Sequence, residues 1–316
     1  MKLQRFALAL AGAGLFAATA VSGSAVAAEP RPSLAEKIAK AKQPLSTKAA
    51  SAACISELGW SNTDGSFGGA LVTAGRPPEG VEYEPFKFPA VRSAATWYAA
   101  VNNAGTQFYY YGLLLQGGNL YRHSTVVPDD GIPRPTTTKV GSGWTSFKSI
   151  ATSNAAFATP KHSYLYGLNT NGSLYRYQIA GAGFRALGSF GGFKAFKAMT
   201  VISETATYDT LLMTTNAGAL YTIRIPVTPT AKPVVKLIRS SGWSAYESLI
   251  VHGCGTRGGS LVIGVDHDTD TGYQYAMSKA NGTATAITSY GRIPAVALTG
   301  NTHTAITTHY DQLVGE

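Results

Sequence analysis

The chain has 316 residues, of which 14 % are charged and 35 are glycine, and its formal net charge is +9. This composition excludes an intrinsically disordered chain, because too much of it is apolar and too little is charged. The many turn-forming residues favour many short strands. The length fits one large all-β domain or two smaller domains.

The first residues have the pattern of a secretory signal peptide. Lys2 and Arg5 precede an uncharged apolar run from Phe6 to Ala20, and small residues follow it. A basic start, an apolar centre and a small-residue cleavage site are typical of export. We therefore predict that residues 1–28 are a signal peptide and that the mature protein is secreted, extracellular and without a membrane span.

A short basic segment follows the predicted signal. Residues 29–52 are rich in Ala, Lys and Pro, and the spacing of Ser33 and Glu36 predicts the capped start of one short helix. We interpret this segment as a stalk and residues 53–316 as the folded domain. The basic residues form no continuous run on the folded part, so we expect no nucleic-acid partner.

The sequence contains two cysteines, Cys54 and Cys254, which lie 254 − 54 = 200 positions apart. An even number of cysteines in an exported protein favours a disulfide, which here would join the start of the fold to its fourth repeat. Two unrelated thiols are the alternative. Two widely spaced cysteines do not predict a zinc site, and we predict neither a metal nor a cofactor.

An aromatic-led segment recurs along the folded domain with a period of about 49 residues. The first glycines of successive copies are separated by 192 − 143 = 49, 242 − 192 = 50 and 291 − 242 = 49 positions. One further copy is a shorter echo in which Phe-Pro-Ala-Val matches Ile-Pro-Ala-Val of the last copy. The five copies are Phe88–Val91, Gly143–Ile150, Gly192–Met199, Gly242–Leu249 and Gly291–Leu298.

A second segment recurs within each period and predicts a β-hairpin. In it an apolar run is broken by Asn, Asp or Gly and then resumes with alternating apolar and polar residues. Its clearest copies are Leu113–Arg122, Tyr166–Arg176, Leu211–Thr222 and Leu261–Tyr275. With the aromatic-led strand and a further strand such as Val234–Ile238, each period forms a four-stranded antiparallel blade. The repeats therefore predict an all-β, five-bladed β-propeller.

The closure of this ring is also predicted. The sequence ends before a fourth strand for the last blade, whereas residues 52–87 precede the first copy and contain Gly69–Thr73, which is similar to Gly218–Thr222. We expect this N-terminal segment to complete the last blade and close the ring.

The repeat resembles that of the tachylectin-type lectins, which are five-bladed propellers. The shared pattern is Gly-Trp-x-x-Phe-Lys followed by an Asn-Gly hairpin and Leu-Tyr, clearest in Gly143–Tyr177 and Gly192–Ile223. The resemblance implies a lectin with sugar sites between adjacent blades. It implies glycans that bear N-acetylated hexosamines, such as N-acetylglucosamine or N-acetylgalactosamine, as partners. We predict that the protein is a monomer and that each of its several sites binds weakly.

Five residues are predicted to contact the sugar. The apolar C–H faces of a pyranose pack on aromatic rings, and its hydroxyls need fixed polar partners. The aromatic residues follow the glycine at the strand entrance, and the asparagines lie in the hairpin turns: Trp144, Phe193, Trp243, Asn171 and Asn216. The alternative is that these rings pack between blades.

Three carboxylates at alternate positions, Asp266, Asp268 and Asp270, resemble the start of a calcium loop. The twelfth position of such a loop is Met277 where a bidentate Glu is required, and the segment aligns with the other hairpin turns. We interpret it as an acidic turn.

No catalytic motif is present in a suitable context, so we predict that the protein is not an enzyme. A protein-binding scaffold remains an alternative, as does a glycosidase or lyase, because some hydrolases are propellers. The carboxylates available for such chemistry are Glu82, Glu84, Asp129, Asp130, Asp209 and Asp311.

Overall fold

Antiparallel β-strands account for nearly all of the regular structure. The structure is a computed structural model that describes residues 54–62, 67–83, 91–128, 134–228, 232–255, 257–294, 296–309 and 311–316. The predicted signal peptide and stalk lie outside these residues. Within the described chain no helix is long and apolar enough to cross a membrane.

The strands fall into five groups, which we call units and number along the chain. Three units are separate four-stranded antiparallel sheets. The second unit comprises β9 (Phe147–Ala155), β10 (His162–Asn169), β11 (Leu174–Ala180) and β12 (Gly183–Phe190). The third comprises β13 (Phe196–Glu204), β14 (Tyr208–Thr215), β15 (Leu220–Pro226) and β16 (Val234–Arg239). The fourth comprises β17 (Ser248–Cys254), β18 (Gly259–Asp266), β19 (Thr271–Met277) and β20 (Ile287–Arg292).

The first and fifth units together form one nine-stranded sheet. The first unit comprises β4 (Ser93–Ala94), β5 (Trp97–Val101), β6 (Gln107–Gln116), β7 (Asn119–Pro128) and β8 (Arg134–Ser142). The fifth comprises β21 (Thr302–Thr308), β1 (Ile55–Ser61), β2 (Phe67–Thr73) and β3 (Glu79–Tyr83). Strand β21 pairs antiparallel with β1 and parallel with β5. The fifth unit is therefore built from both ends of the folded chain.

The predicted hairpins are present as β6–β7, β10–β11, β14–β15 and β18–β19. The predicted further strand matches β16. In the β10–β11 turn Gly172 has a φ of +87°, and a Cβ atom there would lie 2.8 Å from the backbone nitrogen of Lys194. A residue with a side chain would be strained at this position, so the Asn-Gly pair specifies the turn.

The hydrophobic core is divided into five clusters, each of which lies between two consecutive units. Tyr164 and Leu211 belong to the cluster between the second and third units, and Leu58 and Ile263 to the one between the fourth and fifth. Trp97 packs with Ile306 between the fifth unit and the first. The other two clusters lie between the third and fourth units and between the first and second. Each fully buried large side chain contributes about 1.5–3 kcal/mol to folding.

The inner strands of the units contact one another in a fixed order. Strand β4 contacts β9, β9 contacts β13, β13 contacts β17, β17 contacts β21, and β21 contacts β5 of the first unit. Strand β13 illustrates their environment, because all but one of its nine residues are buried. An inner strand is therefore enclosed by its own sheet and by the two neighbouring units.

The structure corrects the alignment of the last aromatic-led segment by one residue. The backbone N–H of Ile293 donates to the carbonyl of Gly272 at 2.8 Å, as the N–H of Trp243 does to Gly218 at 3.0 Å. Ile293, and not Arg292, therefore occupies the position of the tryptophan. The repeat spacing had aligned Gly291 with Gly242, which placed Arg292 at the position of Trp243.

The predicted disulfide between Cys54 and Cys254 is confirmed, with the two Cα atoms 5.7 Å apart. Cys54 directly precedes β1 and Cys254 ends β17. The bond therefore fastens the fifth unit to the fourth.

Candidate functional site: a recess between the first and second units

The three aromatic rings predicted to stack on sugar lie in the interior, between neighbouring units. Trp144, Phe193 and Trp243 are only 6 %, 4 % and 5 % exposed. The Trp144 ring, for example, lies 4.4 Å from that of Phe147. Their backbone N–H groups donate to turn carbonyls of the preceding unit, those of Gly118, Gly172 and Gly218. The three rings therefore pack between units, which was the alternative interpretation of the sequence. Their contact with a ligand stays a prediction.

The two predicted asparagines are exposed on hairpin turns. The side-chain oxygen of Asn171 accepts a hydrogen bond from the N–H of Ser173 at 2.8 Å, and the N–H of Asn216 donates to the carbonyl of Ala195 at 2.8 Å. None of the five predicted residues lines either of the two large cavities described below. The structure therefore does not bring them together into one site.

An open cavity of about 250 Å³ lies between the first and second units. It forms where the inner edge of the first unit is interrupted at Ala95 and Thr96. Before this break β4 contacts β9, whereas after it β5 pairs with β21. We call this cavity the recess; its lining includes Tyr98, Tyr111, Leu113, Arg122, Thr152, Asn154, Ser163, Ile179 and His309.

One part of the recess is aromatic. The rings of Tyr98 and His309 stack with their centroids 4.4 Å apart and an interplanar angle of 9°, and Tyr111 lies 5.4 Å from His309. Burial raises the pKa of Tyr98, so its hydroxyl stays protonated at neutral pH. Leu113 of the first unit and Ile179 of the second add apolar surface. A ring face of a ligand can pack against this lining.

Another part of the recess presents polar groups in fixed positions. Nη2 of Arg122 donates a hydrogen bond to the carbonyl of Gly181 at 2.9 Å. This bond connects β7 to the β11–β12 turn of the second unit. The hydroxyl of Ser163 donates to the carbonyl of Ser153 at 3.2 Å. The side-chain amide of Asn154 contacts Nδ1 of His309. The recess therefore offers stacking surface together with hydrogen-bond partners for hydroxyl or amide groups.

Sequence reasoning missed these residues, although one signal was present. Tyr109, Tyr110 and Tyr111 are consecutive, and side chains alternate between the two faces of a strand. Tyr110 is 6 % exposed and lies in the core, whereas Tyr111 is half-buried in the recess. The run of four aromatic residues from Phe108 to Tyr111 in one strand therefore had to place aromatic surface on both faces.

The described carboxylates considered for glycoside hydrolysis have other roles. Asp209 is fully buried and accepts hydrogen bonds from the hydroxyls of Ser153 and Tyr166. Glu82 is exposed and accepts from the N–H of Ala297, and Asp311 accepts from the hydroxyls of threonines in β21. Glu84, Asp129 and Asp130 lie outside the described residues.

The acidic turn between β18 and β19 is stabilised by hydrogen bonds between the Asp266 side chain and the backbone of the same turn. Oδ1 of Asp266 accepts hydrogen bonds from the N–H groups of Asp268 at 2.9 Å and Thr269 at 3.2 Å. Asp270 adopts a φ of 51°, which suits a tight turn. Within the described chain no group of three His, Cys, Asp or Glu side chains is placed to hold a metal ion.

Glu204, close to the recess, makes the stability depend on pH. It is buried at the end of β13, where its Oε1 accepts from the N–H of Asn154 at 2.8 Å. Burial, and to a lesser degree the nearby Asp209, raises its pKa from 4.5 to about 8. Since the folded state holds this proton more tightly than the unfolded state, the contribution to stability is full below pH 4.5 and is lost as the pH rises towards 8.

We expect the free energy of unfolding to fall by up to about 1.4 kcal/mol per pH unit between pH 6.5 and 8. The pKa values of His123 and His303 are lowered by burial to about 4 and about 3, so their effects lie below this window. Urea unfolding of wild type and Glu204→Gln at several pH values measures the slope. The free energy of unfolding of Glu204→Gln should change little with pH over this range. The control Glu79→Gln, at an exposed position, should keep the wild-type slope. Equal slopes for wild type and Glu204→Gln would refute the assignment of this pH dependence to Glu204.

Solved structures with a similar chain course include both lectins and a hydrolase, whereas neither a protein-family model nor a curated protein matches the chain. The fucose-specific lectin from Aleuria aurantia is 14 % identical over 75 % of this chain and 78 % of that chain, with a TM-score of 0.44. SapL1 lectin, in complex with alpha-methyl fucoside, is 12 % identical over 77 % and 97 %, with a TM-score of 0.38. The catalytic domain of the Coprinopsis cinerea GH62 α-L-arabinofuranosidase is 13 % identical over 59 % and 64 %, with a TM-score of 0.40.

Proposed function

We propose that this chain is a secreted carbohydrate-binding protein whose principal sugar site is the recess between the first and second units. In this proposal the five units are the blades of a five-bladed β-propeller, and the N-terminal segment closes the ring by completing the last blade. The exported state rests on the signal pattern of residues 1–28.

The core clusters and the inner strands support the ring. Each pair of consecutive units shares a hydrophobic cluster, and Trp97 with Ile306 completes the series from the fifth unit to the first. The inner strands follow one another in the same cyclic order. Radial packing of this kind buries both faces of each inner sheet and leaves few exposed edges.

The observation that carries the sugar-binding proposal is the combination of groups in the recess. Tyr111 supplies a half-buried ring, Leu113 and Ile179 supply apolar walls, and Arg122 and Ser163 supply polar groups held by backbone carbonyls. A pyranose presents apolar C–H faces and hydroxyls at its rim, which matches this lining. Fixed side chains also lower the entropy lost on binding.

The ligand class in this proposal is a glycan that bears an N-acetylated hexosamine, which follows from the repeat pattern. A single open site that binds with a millimolar Kd supplies only about 4 kcal/mol. Further weak sites on the same ring, including any at Trp144 and Trp243, would raise binding to a surface of repeated glycans by roughly 10² to 10⁴.

Replacement of Tyr111 by alanine should weaken binding to N-acetylhexosamine glycans about tenfold, because the stacking surface is lost while the polar groups remain. A glycan array followed by equilibrium titration with the best ligand measures the effect. Tyr290→Ala is the matched control, since Tyr290 lies on β20, away from the recess, and its replacement should leave the Kd unchanged.

Two results would contradict this proposal. An array without signal for any glycan would refute sugar binding, and a Tyr111→Ala variant that binds like wild type would exclude the recess. Release of reducing sugar from a bound glycan would instead favour the glycosidase alternative.

A further inference from the structure

A second cavity, of about 240 Å³, lies where the inner strands of all five units meet. Residues of β4, β9, β13, β17 and β21 line it, together with His267 from the turn between β18 and β19. We call it the central cavity. It shares only Thr96 with the recess among the described lining residues, so the two cavities can be tested separately.

Basic residues from three consecutive units line the central cavity at equivalent positions. They are Arg92, Lys148 and Lys197, and each directly follows a buried apolar residue. In the fourth unit this position is Glu247, which follows Tyr246, and in the fifth it is Ala297. The repeat therefore places a positive side chain at three of the five equivalent positions around this cavity.

The charges in the cavity do not balance. Lys197 pairs with Glu247, whose Oε1 lies 2.7 Å from the lysine nitrogen. Three positive side chains and one negative side chain leave a net charge of 3 − 1 = +2 on the lining. Burial lowers the pKa of His303 to about 3 and also lowers that of His267, so both histidines are neutral at pH 7.

The two remaining cations are Arg92 and Lys148. Among the described residues, their hydrogen bonds go to backbone carbonyls and not to carboxylates. Arg92 donates to the carbonyls of Gly117 at 2.9 Å, Phe147 at 2.7 Å and Trp144 at 2.9 Å. Lys148 donates to the carbonyl of Phe196. Carbonyl dipoles orient these side chains without cancelling their charge. A guanidinium has five N–H donors and an ammonium three, so about two donors on each remain for a ligand.

We propose that the central cavity binds the carboxylate of an acidic monosaccharide, with Arg92 and Lys148 as its anion-binding residues. A carboxylate would neutralise part of the excess charge, and charge-assisted hydrogen bonds are stronger than those between neutral groups. Ser248 and His267, which are hydrogen-bonded to each other at 2.9 Å, provide partners for sugar hydroxyls. The volume lies below the roughly 300–1,000 Å³ of pockets for larger ligands, which favours a single sugar unit.

Titration of the full protein at constant ionic strength tests this site, with sodium glucuronate, sodium acetate and glucose as the probes. We expect saturable binding of glucuronate and weaker binding of acetate and glucose. Lys148→Gln and Arg92→Gln should each raise the Kd for glucuronate about tenfold. Lys161→Gln is the matched control, because Lys161 is exposed and outside both cavities.

The outcomes separate this site from the recess. Glucuronate binding that is unchanged in the folded Lys148→Gln variant, or glucose binding as tight as that of glucuronate, would overturn the proposal. Equal affinity for acetate would overturn the sugar part and assign the cavity to the carboxylate alone. Because Arg92 and Lys148 each also bond to a carbonyl of the next unit, both variants are interpreted only together with their unfolding curves. Tyr111→Ala should keep wild-type affinity for glucuronate, so failure at the recess leaves this test intact.

Discussion

The double substitution Cys54→Ser and Cys254→Ser is expected to lower the free energy of unfolding by about 2–5 kcal/mol, one of the two largest effects that we predict. The cross-link spans a sequence separation of 200 residues, and in the chain-entropy model a loop of this size restricts the unfolded chain by about 5 kcal/mol. It also fastens Cys54, next to β1, to the fourth unit. Strand β1 belongs to the N-terminal part of the fifth unit. Loss of the disulfide should therefore allow the fifth unit to unfold before the others.

Denaturant unfolding of the oxidised wild type, the reduced wild type and the double variant measures this effect. Reduced wild type should unfold like the variant, because both lack the cross-link and differ only at two atoms. Amide exchange should show the earliest loss of protection in β1 and β21. A difference below about 1 kcal/mol between oxidised wild type and the variant would show that the fifth unit does not depend on the bond.

The second large effect is expected for Asp209→Ala, which should destabilise the fold by about 3–5 kcal/mol. Asp209 lies on β14 of the third unit and is fully buried. Its carboxylate accepts from the hydroxyls of Ser153 at 2.6 Å and Tyr166 at 2.7 Å, and Nε2 of His162 lies 2.9 Å away. All three partners belong to the second unit, so the substitution would leave three buried polar groups at a unit interface without their acceptor.

Two further variants distinguish this role from a general sensitivity to mutation. Asp209→Asn keeps one acceptor oxygen and should lose less stability than Asp209→Ala. Asp268→Ala removes an exposed carboxylate from a turn and should change the free energy of unfolding by no more than about 0.5 kcal/mol. If Asp209→Ala were as mild as Asp268→Ala, the network would not hold the two units together.

Local patterns were sufficient to predict the repeated sheets. Period-two alternation and Asn-Gly turns predicted the hairpins, since strand geometry and turn geometry depend on neighbouring residues. The sequence also predicted that the N-terminal segment joins the last unit, because residues 69–73, which lie in β2, resemble Gly218–Thr222 of another repeat. The disulfide was favoured over two unrelated thiols by the even cysteine count in a chain that is predicted to be exported.

The recess could not be predicted, because it depends on a contact between distant parts of the chain. Ala95 and Thr96 carry no glycine or proline signal for a break, yet β5 leaves β4 to pair with β21 about 200 positions later. The burial of Trp144 and Trp243 was undecided for a related reason. A ring that follows glycine at a strand entrance can face solvent or the next unit, and the packing of that unit decides.

NMR of the methyl and indole N–H groups of the wild-type protein during titration with N-acetylglucosamine tests most directly whether sugar binds in the recess. Leu113 of the first unit and Ile179 of the second unit both line the recess and report on its occupation, whereas the exposed Val235 on β16 serves as a distant reference. We predict saturable shifts of the Leu113 and Ile179 methyl groups and none at Val235. Shifts confined to the Trp144 and Trp243 indole groups, or no saturable shift with any N-acetylhexosamine, would contradict binding in the recess.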